Sequence, residues 1–173
     1  MDLKKIMLER RELAKDRNTS KDVLRQLAKG NNHYIVRMCV AKNPTTPLDT
    51  LRYLIKDKDS EVRAGILVNP STSPAILGEL AKDDVWFIRR DVAQNPNTPV
   101  EALLDLATDE EMDVRRALVT NRNISADILI KLFDYEKSLN HPDIWTIRAL
   151  YTHKNLPYVA KVIIETLFGN RLL

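Results

Sequence analysis

The sequence predicts an all-α fold, a helical-repeat solenoid with 26-residue repeats of two short helices, and three observations predict it. Asn43, Asn69, Asn95 and Asn121 each open a copy of one pattern, at intervals of 26 residues (69−43, 95−69, 121−95). Two leucines follow each Asn by eight and eleven residues: Leu51 and Leu54, Leu77 and Leu80, Leu103 and Leu106, Leu129 and Leu132. A β-branched residue and an arginine follow by nineteen and twenty: Val62-Arg63, Ile88-Arg89, Val114-Arg115. A fixed period of this length marks units that bury their apolar faces by stacking. Isolated helices shorter than about 12–15 residues are marginal in water, so these need their neighbours.

Taken in order, residues 1–15 form an N-terminal cap, a helix from about Asp2 to Lys15. Residues 16–42 form a degenerate unit, in which Arg10, Ala14 and Asp16 fall where Arg37, Ala41 and Asn43 fall one unit later. Thr19-Ser20-Lys21-Asp22 resembles a capping box there, and Leu24 and Leu27 continue the leucine ladder. Residues 43–68, 69–94 and 95–120 are clear repeats. The first helix starts at a Thr-Pro step in 43–68 and 95–120, and at Ser73-Pro74 in 69–94. Thr98 is expected to cap it, Pro99 suits the first position, and Glu101 is the acid of a capping box; Thr46, Pro47 and Asp49 repeat this arrangement. The second helix carries Val62, Ile66 and Leu67, or Ile88, Val92 and Ala93, and ends before Asn-Pro, because the residue preceding a proline is pushed out of the helical region. Residues 121–154 form a divergent repeat. Its Ile147-Arg148 lies 26 residues after Asn121 rather than 19, which places an insertion of seven within 135–143, expected as a longer solvated loop. Residues 155–173 form a C-terminal cap helix, Tyr158–Phe168 at its centre, apolar on more than one face.

The composition is that of an ordinary globular chain, 29% charged and 44% hydrophobic. No stretch reaches the roughly 18 consecutive apolar residues of a membrane span, and the start lacks a long apolar signal core. A single cysteine, Cys39, excludes an internal disulfide and a multi-cysteine metal site. A cytoplasmic location is the expectation, with no membrane partner.

The pattern Asn-Pro-x-Thr-Pro-x3-Leu-x2-Leu-Ala-x-Asp-x4-Val-Arg resembles the leucine-rich repeat variant family over about Asp16 to Lys154. That resemblance implies a right-handed α–α superhelix. The Asp-x4-Val-Arg segment is also HEAT-like, but 26 residues is short for HEAT repeats. One member type of the variant family carries an iron–sulfur domain on four cysteines. This chain has only Cys39, so no cofactor is expected and only the fold is carried over.

Three features are candidates for function. The arginine column, Arg37, Arg63, Arg89, Arg115 and Arg148, could line a phosphate-binding stripe. The structural alternative pairs each with the Asp six residues earlier: Arg63 with Asp57, Arg89 with Asp83, Arg115 with Asp109. A second column, Tyr34, Ser60, Trp86, Met112 and Trp145, holds both tryptophans and could stack on bases or anchor a protein, or pack between repeats. Charge is uneven: residues 1–60 hold 14 Lys/Arg and 8 Asp/Glu, net +6, against 13 and 16, net −3, in the remainder.

No catalytic pattern appears. His33, His141 and His153 are scattered without metal-ligand spacing, and Cys39 sits on a helix as a packing residue. The function expected is a non-enzymatic scaffold binding a protein or peptide on its concave face, through the variable second-helix positions Met38, Lys42, Trp86, Arg90, Gln94, Arg116 and Thr120. The alternative is a nucleic-acid-binding groove using Arg37, Arg90, Arg116 and Trp86. A third reading is a base-processing enzyme using Trp86 and Asp91. The oligomeric state is left open by the sequence.

Overall fold

The computed structural model describes residues 3–29 and 32–172. Met1, Asp2 and Leu173 at the caps, and Gly30-Asn31 in the degenerate unit, lie outside the described residues. Among the described residues there are twelve helices and no strand. The fold class is the expected all-α helical repeat.

The chain divides into two compact units, 1–80 and 81–173. In the first, α1 (Leu3–Lys15), α3 (Tyr34–Lys42) and α5 (Ser60–Leu67) pack side by side as one layer. Helices α2 (Lys21–Ala28) and α4 (Leu48–Leu54) form the other, and α6 (Pro74–Leu80) closes the unit in sequence. Gly65 on α5 allows close approach to α3: a Cβ there would stand 3.2 Å from Ala41 Cβ and 3.3 Å from Met38 O. In the second unit α7 (Trp86–Gln94), α9 (Met112–Val119) and α11 (Ile144–Thr152) form the second-helix layer. Helices α8 (Val100–Leu106) and α10 (Ala126–Ser138) form the first-helix layer, and α12 (Tyr158–Leu172) packs on α11.

Every ladder leucine is buried, Leu24 and Leu27 through Leu129 and Leu132, as are Val62, Ile66, Ile88, Val92 and Ala93. Leu67 is half-buried. The leucine spacing thus identified the core correctly.

Within each compact unit, the marker Asn ties its repeat to the repeat before. Asn69 Nδ2 donates to Ala41 O and Asn43 O, both at 2.7 Å, while its Oδ1 accepts from Ser71 N–H at 2.8 Å. Asn121 does the same with Ala93 O, Asn95 O and Asn123 N–H. Asn43 donates to Ala14 O and Asp16 O, as Asn69 donates to Ala41 O and Asn43 O one repeat later. The side chain replaces hydrogen bonds that the helix ends and turns would otherwise lack.

Three local expectations change. Thr46 and Thr98 do not cap the following helix; their hydroxyls donate backwards to Val40 O and Val92 O at 2.6 Å, satisfying the end of the preceding second helix. The cap positions of α4 and α8 are Pro47 and Pro99, without a side-chain bond. Ser20 does cap α2, accepting from Val23 N–H. The insertion near 135–143 is not simply a loop: α10 continues to Ser138 and only 139–143 turn. Its polar residues are used inside the fold, as follows.

Arginine pairing also differs from the intra-unit expectation. Arg89 makes a two-pronged contact with Asp109, twenty residues later, with Nε and Nη2 at 2.7 and 3.0 Å; the residue six before it, Asp83, offers its backbone carbonyl. Arg37 pairs in the same way with Asp57, and Arg63 and Arg115 likewise donate to the backbone carbonyls of Asp57 and Asp109. The Asp itself closes an Asx turn, Asp57 accepting from Asp59 N–H and Asp109 from Glu111 N–H. In the inserted unit Glu136 takes the Asp role. It is fully buried, accepts from Arg115 Nε at 2.6 Å, and through its other oxygen accepts from Asp143 N–H. Guanidinium forks fit carboxylates in this manner, so Arg37, Arg89 and Arg115 are structural, each joining one repeat to the next.

Candidate functional site

Helical spacing sets three lines of side chains on the second helices of the second unit. Trp86, Arg90 and Gln94 run along α7, Met112, Arg116 and Thr120 along α9, and Trp145 and Ala149 along α11 with His153 at its end. Since α7, α9 and α11 are packed side by side, the first-turn residues form one row. Trp86 is 37% exposed, Met112 40% and Trp145 66%. In the first unit Tyr34, Met38 and Lys42 repeat the line on α3, with Met38 half-buried and Lys42 exposed.

The guanidinium groups on this face are not free. Arg90 lies over the Trp86 ring, 5.5 Å from its centroid, and donates through Nε and Nη2 to Asp91 Oδ1 at 2.9 and 2.8 Å. Phe87 meets Trp86 edge-on at 6.1 Å and 84°. Arg116 holds Asp143 through two hydrogen bonds of 2.8 Å and reaches Asp113 at 3.5 Å. Arg37, named for a phosphate groove, is buried against Asp57. The structure therefore brings Trp86 and Arg90 together and leaves Gln94 and Thr120 exposed on the same lines, while Arg116 is engaged within the fold.

Asp143 shows what that engagement does. Burial pushes its carboxyl up, but the hydrogen bonds from Arg116 and Thr146 outweigh it and lower its value to about 2. A carboxylate whose folded value lies below its unfolded one stabilises above the unfolded value and loses that contribution as pH falls through the folded one. About 2 kcal/mol should therefore be lost between roughly pH 5 and pH 1. Acid denaturation of Arg116→Ala should start at higher pH than in the parent; coincident acid transitions would contradict this.

His33 caps α3, its Nδ1 accepting from Ile35 N–H. Cys39 is buried, and burial first of all raises its thiol above the ordinary value, as suits a packing residue. Arg148 is stacked 5.7 Å from the Trp145 ring, with its Nε buried and without a hydrogen-bond partner. Among the described residues no group of His, Cys, Asp and Glu could hold a metal ion. None of the described helices is long and apolar enough to cross a membrane.

Stacked helix pairs of fixed period, tied by Asn and Arg ladders, define a helical-repeat protein. The family model described as Leucine rich repeat variant matches residues 86–111, one repeat length spanning α7 and α8, in agreement with the resemblance read from the sequence. Comparison with curated proteins and with solved structures finds no match.

Proposed function

We propose that the protein is a non-enzymatic scaffold that binds a protein or peptide segment on its second-helix face, the face expected to be concave. The observation that supports this most is the exposed row Trp86, Met112 and Trp145 on three adjacent helices. Large apolar side chains of this kind are enriched where interfaces concentrate their binding energy. The engaged state of Arg37, Arg90 and Arg116 leaves a phosphate-tracking stripe with few free charges. An enzyme based on Asp91 has no support beyond an exposed ion pair with Arg90.

Peptide display on the full chain, with counter-selection on Trp86→Ala/Trp145→Ala, tests the reading. Enrichment of peptides with apolar anchors that the variant fails to retain is expected. Enrichment identical on both proteins would contradict it.

A further inference from the structure

The repeat departs from its own pattern in one place. Units open Asn43-Pro44, Asn69-Pro70 and Asn95-Pro96, but the last two open Asn121-Arg122 and His153-Lys154. Hydrogen bonding assigns His153 to this column. Its N–H returns to Leu150 O, as Asn43 N–H returns to Val40 O and Asn121 N–H to Leu118 O. Its Nδ1 accepts from the amide two residues on, as the side chains of Asn43, Asn69 and Asn121 do.

The three departures meet. Arg122, His153 and Lys154 line one cleft of about 690 Å³ at the C-terminal ends of α9 and α11, beside Thr120 and Thr152, and no acid lines it. Arg122 and Lys154 are exposed, and among the described residues no carboxylate pairs with them. Each helix C-terminus is equivalent to about −0.5 charge, so the two ends offset about one of the two full positive charges. A net positive site remains where the repeat elsewhere places neutral proline. Positions that break a local rule without structural need are where function is expected.

The surroundings narrow the ligand. Residues 81–173 hold 12 Lys/Arg and 14 Asp/Glu, net −2. A local positive spot in a negative unit suits one carboxylate and disfavours a long polyphosphate backbone. Since Nδ1 of His153 accepts a backbone N–H, the neutral ring carries its proton on Nε2, a donor.

We propose that this cleft is an anion subsite that receives a carboxylate of the bound peptide, with Arg122 and Lys154 as charge partners and His153 Nε2–H as donor. The assignment rests on the peptide-binding reading above and names the chemistry of one end of it. Burial first, then Lys154 and Lys161, holds His153 below the ordinary imidazole value. A docked anion supplies the opposite charge and moves that value upward.

The test is a pH titration of the His153 Cε1–H signal by NMR on the full chain. Glutarate is the probe, at ionic strength held constant with sodium chloride. A saturable rise of about half to one pH unit is expected, with His33 and His141 as unmoved controls. Arg122→Ala/Lys154→Ala should start from a higher value, because Lys154, one of the cations that hold it down, is gone, and should show no further rise. The response should persist in Trp86→Ala/Trp145→Ala, which separates the cleft from the aromatic row: lost peptide binding there with His153 still responsive supports both readings. Peptide binding unaffected by the tryptophan changes counts against the row alone. A His153 value that glutarate leaves unmoved, or moves equally in Arg122→Ala/Lys154→Ala, overturns the subsite. So does tighter, steeply salt-dependent binding of oligothymidylate with the same His153 response, which would make the ligand a phosphate backbone.

Discussion

Glu136→Ala is expected to destabilise the C-terminal unit by about 3–5 kcal/mol, because breaking a buried pair leaves an uncompensated charge. Arg115 is 4% exposed and Glu136 is fully buried, and the glutamate also accepts the Asp143 amide. Its loss leaves a buried guanidinium and a buried N–H at the entry to α11. Replacing both partners with apolar residues, Arg115→Met/Glu136→Leu, should recover a large part of the loss, since the desolvation cost of both charges disappears. Chemical denaturation of the three proteins checks this. A single-variant loss below about 1 kcal/mol, the range of exposed pairs, would show that the pair is not sealed from water.

Asn121→Leu is expected to cost about 3 kcal/mol while keeping the side chain branched at Cγ. It removes the donor to Ala93 O and Asn95 O and the acceptor for Asn123 N–H, in a side chain that is 1% exposed. Each buried group left unsatisfied costs about 1–3 kcal/mol. Hydrogen exchange localises the effect: the Asn123 amide should lose protection ahead of the α8 and α10 cores. Uniform loss across the unit, with Asn123 no faster than its neighbours, would assign the cost to packing instead.

Periodicity exposed the architecture because it reports burial directly. Leu51, Leu77, Leu103 and Leu129 sit at one register and all face the core. The polar columns were visible but their partners were not. Asp57 lies six residues before Arg63 and twenty after Arg37, and a 26-residue period makes both spacings equally regular. Only the stacking of one repeat on the next shows that Arg37 takes the Asp57 carboxylate. Thr98 matches a capping box by sequence, as a hydroxyl before Pro-x-Glu, yet its hydroxyl donates to Val92 O at the end of the preceding helix. The insertion hid its role because Glu136 occupies the ladder one residue late, on a helix extended past the normal stop. In the candidate surface, Trp86, Met112 and Trp145 could be found by register alone. The cleft at Arg122 and Lys154 could have been found by asking which unit markers lose their proline. His153 could not, since its unit is displaced by the insertion.

The central claim is that the second-helix face of the C-terminal unit binds a peptide through its aromatic row. The most direct measurement is calorimetric titration of the best displayed peptide against the parent chain and Trp86→Ala/Trp145→Ala, with thermal denaturation of both. A loss in affinity of about thirtyfold or more, the scale of one interface hot spot, is expected at a temperature where both proteins remain folded. Equal affinities for the two proteins would contradict the account.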